Sequence, residues 1–217
     1  MRNRFNAQLQ MLDAQTLVMG TSIEDAVTQS VDMLEEPHEA ILERVIEGDD
    51  DIDHQEREIE SLCLKLLLMQ QPVATDLRHV SAALKIAGDM ERIGDQAANI
   101  AEILMAGSWA PKQGLQDSMV ALGRRAQHMV HAAMEAYSKN DVAQARLVIE
   151  RDKDVNTSFN GVREKIVAEI RHQEGPVPML VDALMIAKYF ERIGDHSKNI
   201  CNWLEYKLEG IYKTERI

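Results

Sequence analysis

Apolar residues recur along most of this chain at intervals of three and four, the period of an amphipathic helix and not of a strand. The clearest run holds Ile86, Met90, Ile93, Ala97, Ile100 and Leu104, a 4-3-4-3-4 spacing that lays one seam along a helix. A second run repeats it with Ile186, Phe190, Ile193, Ser197, Ile200 and Leu204. Helical patterning also covers residues 7–34 and 113–137 and the stretches around Val45 and Val148, so the pattern predicts six helices. Glu35-Glu36-Pro37 is expected to restart a helix with proline early in its first turn, Gln71-Pro72 to separate the second and third helices, and Gly107 to Gly114 to divide the chain. Ser138-Lys139-Asn140-Asp141 and Gly175-Pro176-Val177-Pro178 punctuate the second half in the same way. Loops this short make consecutive helices antiparallel neighbours.

The halves are copies of one unit. Glu91-Arg92-Ile93-Gly94-Asp95 recurs 100 residues later as Glu191-Arg192-Ile193-Gly194-Asp195, with Leu84, Asn99 and Ile100 matched by Leu184, Asn199 and Ile200. Upstream, Val45-Ile46-Glu47-Gly48-Asp49-Asp50-Asp51-Ile52-Asp53 is echoed 103 residues later by Val148-Ile149-Glu150-Arg151-Asp152-Lys153-Asp154-Val155-Asn156. The expected fold is all-α: six helices as two tandem, pseudo-symmetric three-helix bundles, residues 1–107 and 108–217. Gly94 and Gly194 sit inside helices at a cost of about 1 kcal/mol each relative to alanine, which points to close approach of a neighbouring helix.

Composition agrees, with only 4% aromatic residues, 11 Gly and 5 Pro. A formal net charge of −12 excludes nucleic acid as a partner and sets the chain against binding free phosphate except through a metal. Divalent cations and basic protein surfaces suit it better. The apolar stretch from Leu62 to Met69 contains Lys65 and is too short to span a bilayer, and Met1-Arg2-Asn3-Arg4 is not followed by a signal-peptide core, so a cytosolic protein is expected. Cys63 and Cys201 form no metal or redox pair and are expected to be reduced core residues.

Candidate chemistry lies in the acidic pairs. At about 100° per residue, Glu91 and Asp95 share one face of their helix, roughly opposite the Ile93 seam and therefore expected to point outward. Residues equidistant from a hairpin turn stand at equal height, which sets Asp53 level with Glu91 and Asp49 level with Asp95 about Pro72. The second copy brings Asp152 level with Asp195, and Asn156 level with Glu191, about a turn just before Gly175. Converging carboxylates repel without a counter-charge, and such hard oxygen ligands suit magnesium, manganese or iron. Asn156 stands where the first copy has Asp53, which weakens the second set. Arg92 and Arg192 are alternative neutralisers, and His54 and His196 flank the clusters. Asp76 suits a helix N-terminus, Arg78 could contact an anion, and Tyr189, Phe190, Trp203 and Tyr206 suggest packing.

No phosphate-binding loop, dinucleotide fingerprint, nucleophile elbow or H-E-x-x-H motif occurs, so ATP hydrolysis and familiar nucleophilic catalysis lack their parts. The single Glu-x-x-His match, Glu35 to His38, spans the Pro37 break. Three readings remain open from the residues: a metal-braced adaptor, a carboxylate metalloenzyme acting on phosphate esters or oxygen, and a metal-free interaction scaffold.

The duplicated unit, Arg44-Val45-Ile46-Glu47-Gly48-Asp49, Gln71-Pro72 with Asp76-Leu77-Arg78, and both Glu-Arg-Ile-Gly-Asp runs resemble the PhoU family of phosphate-transport regulators along nearly the whole chain. That resemblance maps the family's E/D-x-x-x-D pattern onto Asp49 with Asp53, Glu91 with Asp95, and Glu191 with Asp195, while Asp152 with Asn156 departs from it. It implies iron, zinc, manganese or magnesium at these acidic motifs. It further implies a cytoplasmic protein, often a homodimer, that shuts off the phosphate-starvation response. Its partners would be a phosphate-sensing histidine kinase and the ATPase subunit of the phosphate ABC transporter, through which it would reach the membrane.

Overall fold

The computed structural model describes residues 2–70, 72, 74–107, 109–213 and 215–216. Six helices follow one another: α1 (Arg2–Asp32), α2 (Glu39–Gln70), α3 (Thr75–Met105), α4 (Gln113–Lys139), α5 (Val142–His172) and α6 (Val177–Glu209). The all-α expectation holds, with one small addition. Gly210, at φ 73°, ends α6 and turns the chain into a two-residue antiparallel pair, β1 (Ile211–Tyr212) with β2 (Glu215–Arg216).

Two boundaries differ from the expected punctuation. Pro37 is not in the first turn of α2, because Ile41 and Leu42 both donate their N–H groups to His38 O, at 2.9 and 3.0 Å, so the helix starts after His38. α1 meanwhile tightens into i→i−3 turns through Glu35, which uses up the residues that would have opened α2 sooner. Gly114 lies inside α4 and not in the connection, since Lys112 O already accepts from Leu115 and Gln116. Gln71 is outside the described residues, while Pro72 falls in the connection between α2 and α3. Later breaks fall within the expected stretches and are shorter, since Ser138 and Lys139 still belong to α4 and Val177 and Pro178 already to α6: Asn140 is left-handed at φ 50°, and the Asp141 side chain accepts from Gln144 N–H at 3.0 Å to cap α5.

Every residue of both predicted seams is buried, and the two seam helices, α3 and α6, pack together. They run antiparallel: Arg78 near the start of α3 lies against Gly210 after the end of α6, and His196 of α6 bonds to Asp89 of α3. α1 and α4 cross reciprocally. Gly20 receives the Met134 side chain and Gly123 the Val31 side chain, and each member of one pair sits 103 residues from its counterpart in the other. Two polar contacts obey the same exchange, Gln127 donating to Thr28 at 2.8 Å and His131 meeting Glu24 at 2.9 Å. The copies are therefore related by a pseudo-twofold axis and share one continuous core.

One polar knot ties four helices. Asp13 Oδ1 of α1 meets His79 Nε2 of α3 at 2.7 Å, Tyr137 OH of α4 at 2.9 Å and Lys207 Nζ of α6 at 2.9 Å. Burial works against the Asp13 charge, but the hydrogen bonds and charges of His79 and Lys207 prevail and hold its carboxyl well below the usual carboxylate range. Among the described residues no helix is long and apolar enough to cross a membrane.

Candidate metal centre

The α2–α3 hairpin brings one carboxylate oxygen from each of Asp53, Glu91 and Asp95 within 4.8 Å of one another. Asp49 lies beside this trio without belonging to it: its Oδ1 is 3.0 Å from the place a Gly94 Cβ would occupy, and the charges of all three act on it. The same absent Cβ would stand 3.0 Å from Ile52 Cδ1, which is why this helix position takes no side chain; at Gly194 the corresponding neighbour is Val155 Cγ1 at 3.1 Å. That close approach corrects the expected outward direction of Glu91 and Asp95. Both are partly buried on the flank of α3 that α2 overlaps, because the contact at Gly94 draws α2 across them.

Burial pushes the Asp49 carboxyl up to about 6, with the charges of Asp95, Asp53 and Glu91 adding to it. Glu91 and Asp95 are raised for the same reasons, burial first, with Arg92 pulling the other way and not prevailing. Arg57 bonds Asp53 Oδ2 at 2.8 Å from the exposed side. Asp49 Oδ1 is buried with no hydrogen-bond partner among the described residues, an orphaned acceptor in a set of hard oxygen donors. These features fit a bound cation of the magnesium, manganese or iron class.

The α5–α6 hairpin is built alike and answers its charge differently. Asp152, only 5% exposed, accepts Lys198 Nζ at 2.7 Å and Asn156 Nδ2 at 3.1 Å on the same oxygen. Lys188 bonds Glu191, and Arg192 lies 3.7 Å from Asp195. Asp195 is still raised, by burial and then by Glu191 and Asp152. The first copy has Gly88 and Ala98 where the second has Lys188 and Lys198. Two ammonium groups thus neutralise Asp152 and Glu191, and the second set does not fit a metal as the first does. Neither lysine belongs to a recognisable motif, although the offset of 100 that relates the copies pairs each with a residue that has no charge.

The remaining candidates have structural employment. His54 is exposed and pairs with Glu58 at 3.5 Å, apart from the cluster. His196 and Asn199 both bond Asp89 Oδ1, at 2.8 and 3.1 Å, tying α6 to α3. Asn99 donates to the Asp95 carbonyl at 2.6 Å. Asp76 is in the first turn of α3, and Arg78 reaches Thr75 Oγ1 at 3.4 Å. Phe190 is fully buried, and Trp203 packs edge-on to Tyr206 and stacks on Tyr212. Cys63 and Cys201 are free and buried, their thiols pushed up to about 12 chiefly by burial, which withholds thiolate chemistry at neutral pH.

The chain as a whole has relatives among known proteins. The PhoU domain is matched twice, at residues 16–104 and 119–204. The chain is 31% identical over 207 residues to the phosphate-specific transport system accessory protein PhoU of Serratia marcescens, covering 95% of this chain and 85% of that protein. Its identity to the protein of that name from Escherichia coli K12 is 30%, over 95% of this chain and 86% of that one. Among solved structures, PhoU from Pseudomonas aeruginosa superposes with a TM-score of 0.91 at 29% identity, covering 95% of this chain and 99% of that one. The phosphate transport system regulatory protein PhoU from Streptococcus pneumoniae shares the fold, with a TM-score of 0.88 at 22% identity over 98% of this chain and 99% of that one.

Proposed function

The chain belongs to the PhoU domain family, and from that premise we propose that it is an accessory protein of phosphate transport that restrains uptake and the starvation response when phosphate is plentiful. The observation that carries this reading is likeness along nearly the whole chain, through both copies of the domain, to phosphate-specific transport accessory proteins. In this reading the protein is an adaptor and not an enzyme. It acts in the cytoplasm as a homodimer and reaches the membrane through the ATPase subunit of the phosphate ABC transporter and a phosphate-sensing histidine kinase. A helical surface with a strong negative balance supports contact with basic protein faces and leaves nucleic acid aside.

Asp49, Asp53, Glu91 and Asp95 would hold a metal ion, whether magnesium, manganese, iron or zinc. The ion would supply the positive charge that lets four carboxylates stand together and so tie α2 to α3. The orphaned Asp49 oxygen and the raised carboxyls support this assignment. Asp152, Glu191 and Asp195 would form a second brace of the same kind, closed by lysine in place of metal.

The test of the regulatory role is uptake of labelled phosphate by a strain lacking this chain, grown with ample phosphate. High-affinity uptake that persists is the expected outcome. Repression equal to that of the parent strain rejects the role.

A further inference from the structure

Charge is divided unequally between the copies. Residues 1–107 hold 21 acidic against 8 basic side chains and residues 108–217 hold 15 against 16, so the negative balance belongs to the first copy. The same contrast appears in a groove that both copies keep. Between α1 and α2 its lining includes Ser22, Asp25, Gly48 and Asp51, beside Ala26 and Ile52. Between α4 and α5 the residues 103 positions later are Arg125, His128, Arg151 and Asp154, beside Met129 and Val155, and these six line a cavity of about 280 Å³. Met129 and Val155 are buried and form its apolar floor, whereas the four polar residues are exposed at its rim.

Several cations of this half are already paired: Arg124 with Asp32, Arg146 with Glu205, Lys198 with Asp152 and Lys207 with Asp13. Arg125 and Arg151 make no hydrogen bond or ion pair among the described residues, although they line one groove of an acid-rich chain. Two guanidinium forks and an imidazole match the oxygens of a tetrahedral anion. The cavity lies below the roughly 300 Å³ at which pockets for organic ligands begin, so a small ion suits it best. Asp154 narrows the choice further. An ionised carboxylate only accepts hydrogen bonds, so an anion seated beside it must bring a proton of its own. Hydrogen phosphate keeps an O–H throughout the neutral range; sulfate and a fully ionised phosphate monoester have none.

We propose that the α4–α5 groove binds inorganic hydrogen phosphate, held by Arg125, His128 and Arg151 and selected by Asp154. The net charge of the whole chain argues against a free phosphate ligand, but salt screens charges beyond about 10 Å and the groove's own residues decide at contact. Metal takes no part, and occupancy of the groove does not depend on which proteins the chain contacts.

The test is calorimetric titration of inorganic phosphate, sulfate and phenyl phosphate into the chelator-treated full-length protein at neutral pH. Arg125→Ser/Arg151→Ala and Asp154→Ala are titrated alongside, their helix content checked by circular dichroism. Phosphate is expected to bind the parent at one site, with sulfate and phenyl phosphate weaker by about tenfold or more. The arginine variant should lose about tenfold or more in phosphate affinity, and Asp154→Ala should bring phosphate and sulfate towards equality. Three results overturn the proposal: no phosphate binding at millimolar concentration, phosphate binding unchanged in the folded arginine variant, or sulfate bound by the parent as tightly as phosphate.

Discussion

Asp49 is the residue at which the first hairpin is least satisfied, because its buried Oδ1 has no donor among the described residues and the carboxylates of Asp95, Asp53, Glu91 and Asp50 all act on it. A carboxyl pushed up to about 6 from an unfolded value of 3.8 binds its proton more tightly in the folded chain. The stability linked to that proton is therefore full below the unfolded value and is lost as pH rises through about 6. With metal removed, Asp49→Asn should leave the protein about 1 kcal/mol more stable than the parent above that range, screening by solvent included, and no different well below the unfolded value of 3.8. Thermal unfolding across the pH range measures this, and a parallel pH dependence in both proteins would contradict it. The sequence allowed only part of this to be read. The cost of glycine at Gly94 pointed to a close neighbour, which proved to be Ile52 beside Asp49, yet Gly48 lies equally deep in a helix and has nothing within 4 Å of where its Cβ would be. Propensity alone cannot separate two such glycines, since what differs is the helix packed against each.

At the scale of a hairpin, counting from the turn set Asp53 level with Glu91 and close to Asp95, with Asp49 beside them, because rise per residue is constant and a short loop fixes the register. Counting gives height and not reach. Lys198 sits one turn beyond Asp195, and its long side chain extends to Asp152 on α5, which no rule of spacing along α6 would pair with it. The hairpins should therefore differ in their need for metal. Elemental analysis of protein purified without chelator should find metal that disappears in folded Glu91→Ala/Asp95→Ala and is unaffected by Glu191→Ala/Asp195→Ala. Replacing Lys198 by alanine should cost about 2 kcal/mol, because it leaves the buried Asp152 charge with Asn156 alone. Adding Asn156→Asp and Lys188→Gly should then create a second metal equivalent, and a triple variant that gains none would show that carboxylate geometry is not sufficient.

Across the whole molecule, the duplication was legible and the way its copies interlock was not. Identity at fixed offsets reveals that a unit recurs, whereas the α3–α6 and α1–α4 contacts join residues too far apart in sequence for any loop to set their register. The knot at Asp13 lies further from view, since His79, Tyr137 and Lys207 come from both copies at positions the repeat does not relate. Asp13→Ala should cost about 3 kcal/mol by leaving Lys207, 6% exposed, without its carboxylate. Because the Asp13 carboxyl is depressed, its contribution is present above the unfolded value of 3.8 and is lost as pH falls through the lower folded value, so parent and variant should converge in acid. One continuous core also predicts a single transition for both copies, with calorimetric and van't Hoff enthalpies in agreement; two resolved transitions would mean the halves melt separately.

Unequal division of charge along the chain bears on how quickly the molecule meets others, apart from how tightly it holds them. A body with 21 acids against 8 bases in one half and near balance in the other carries a permanent dipole. A basic surface is drawn to the first half from a distance, at rates that fall as salt is added, while a small anion nearing the second half is spared most of that repulsion. Visitors of opposite sign can thus arrive at one chain together without crossing each other's path.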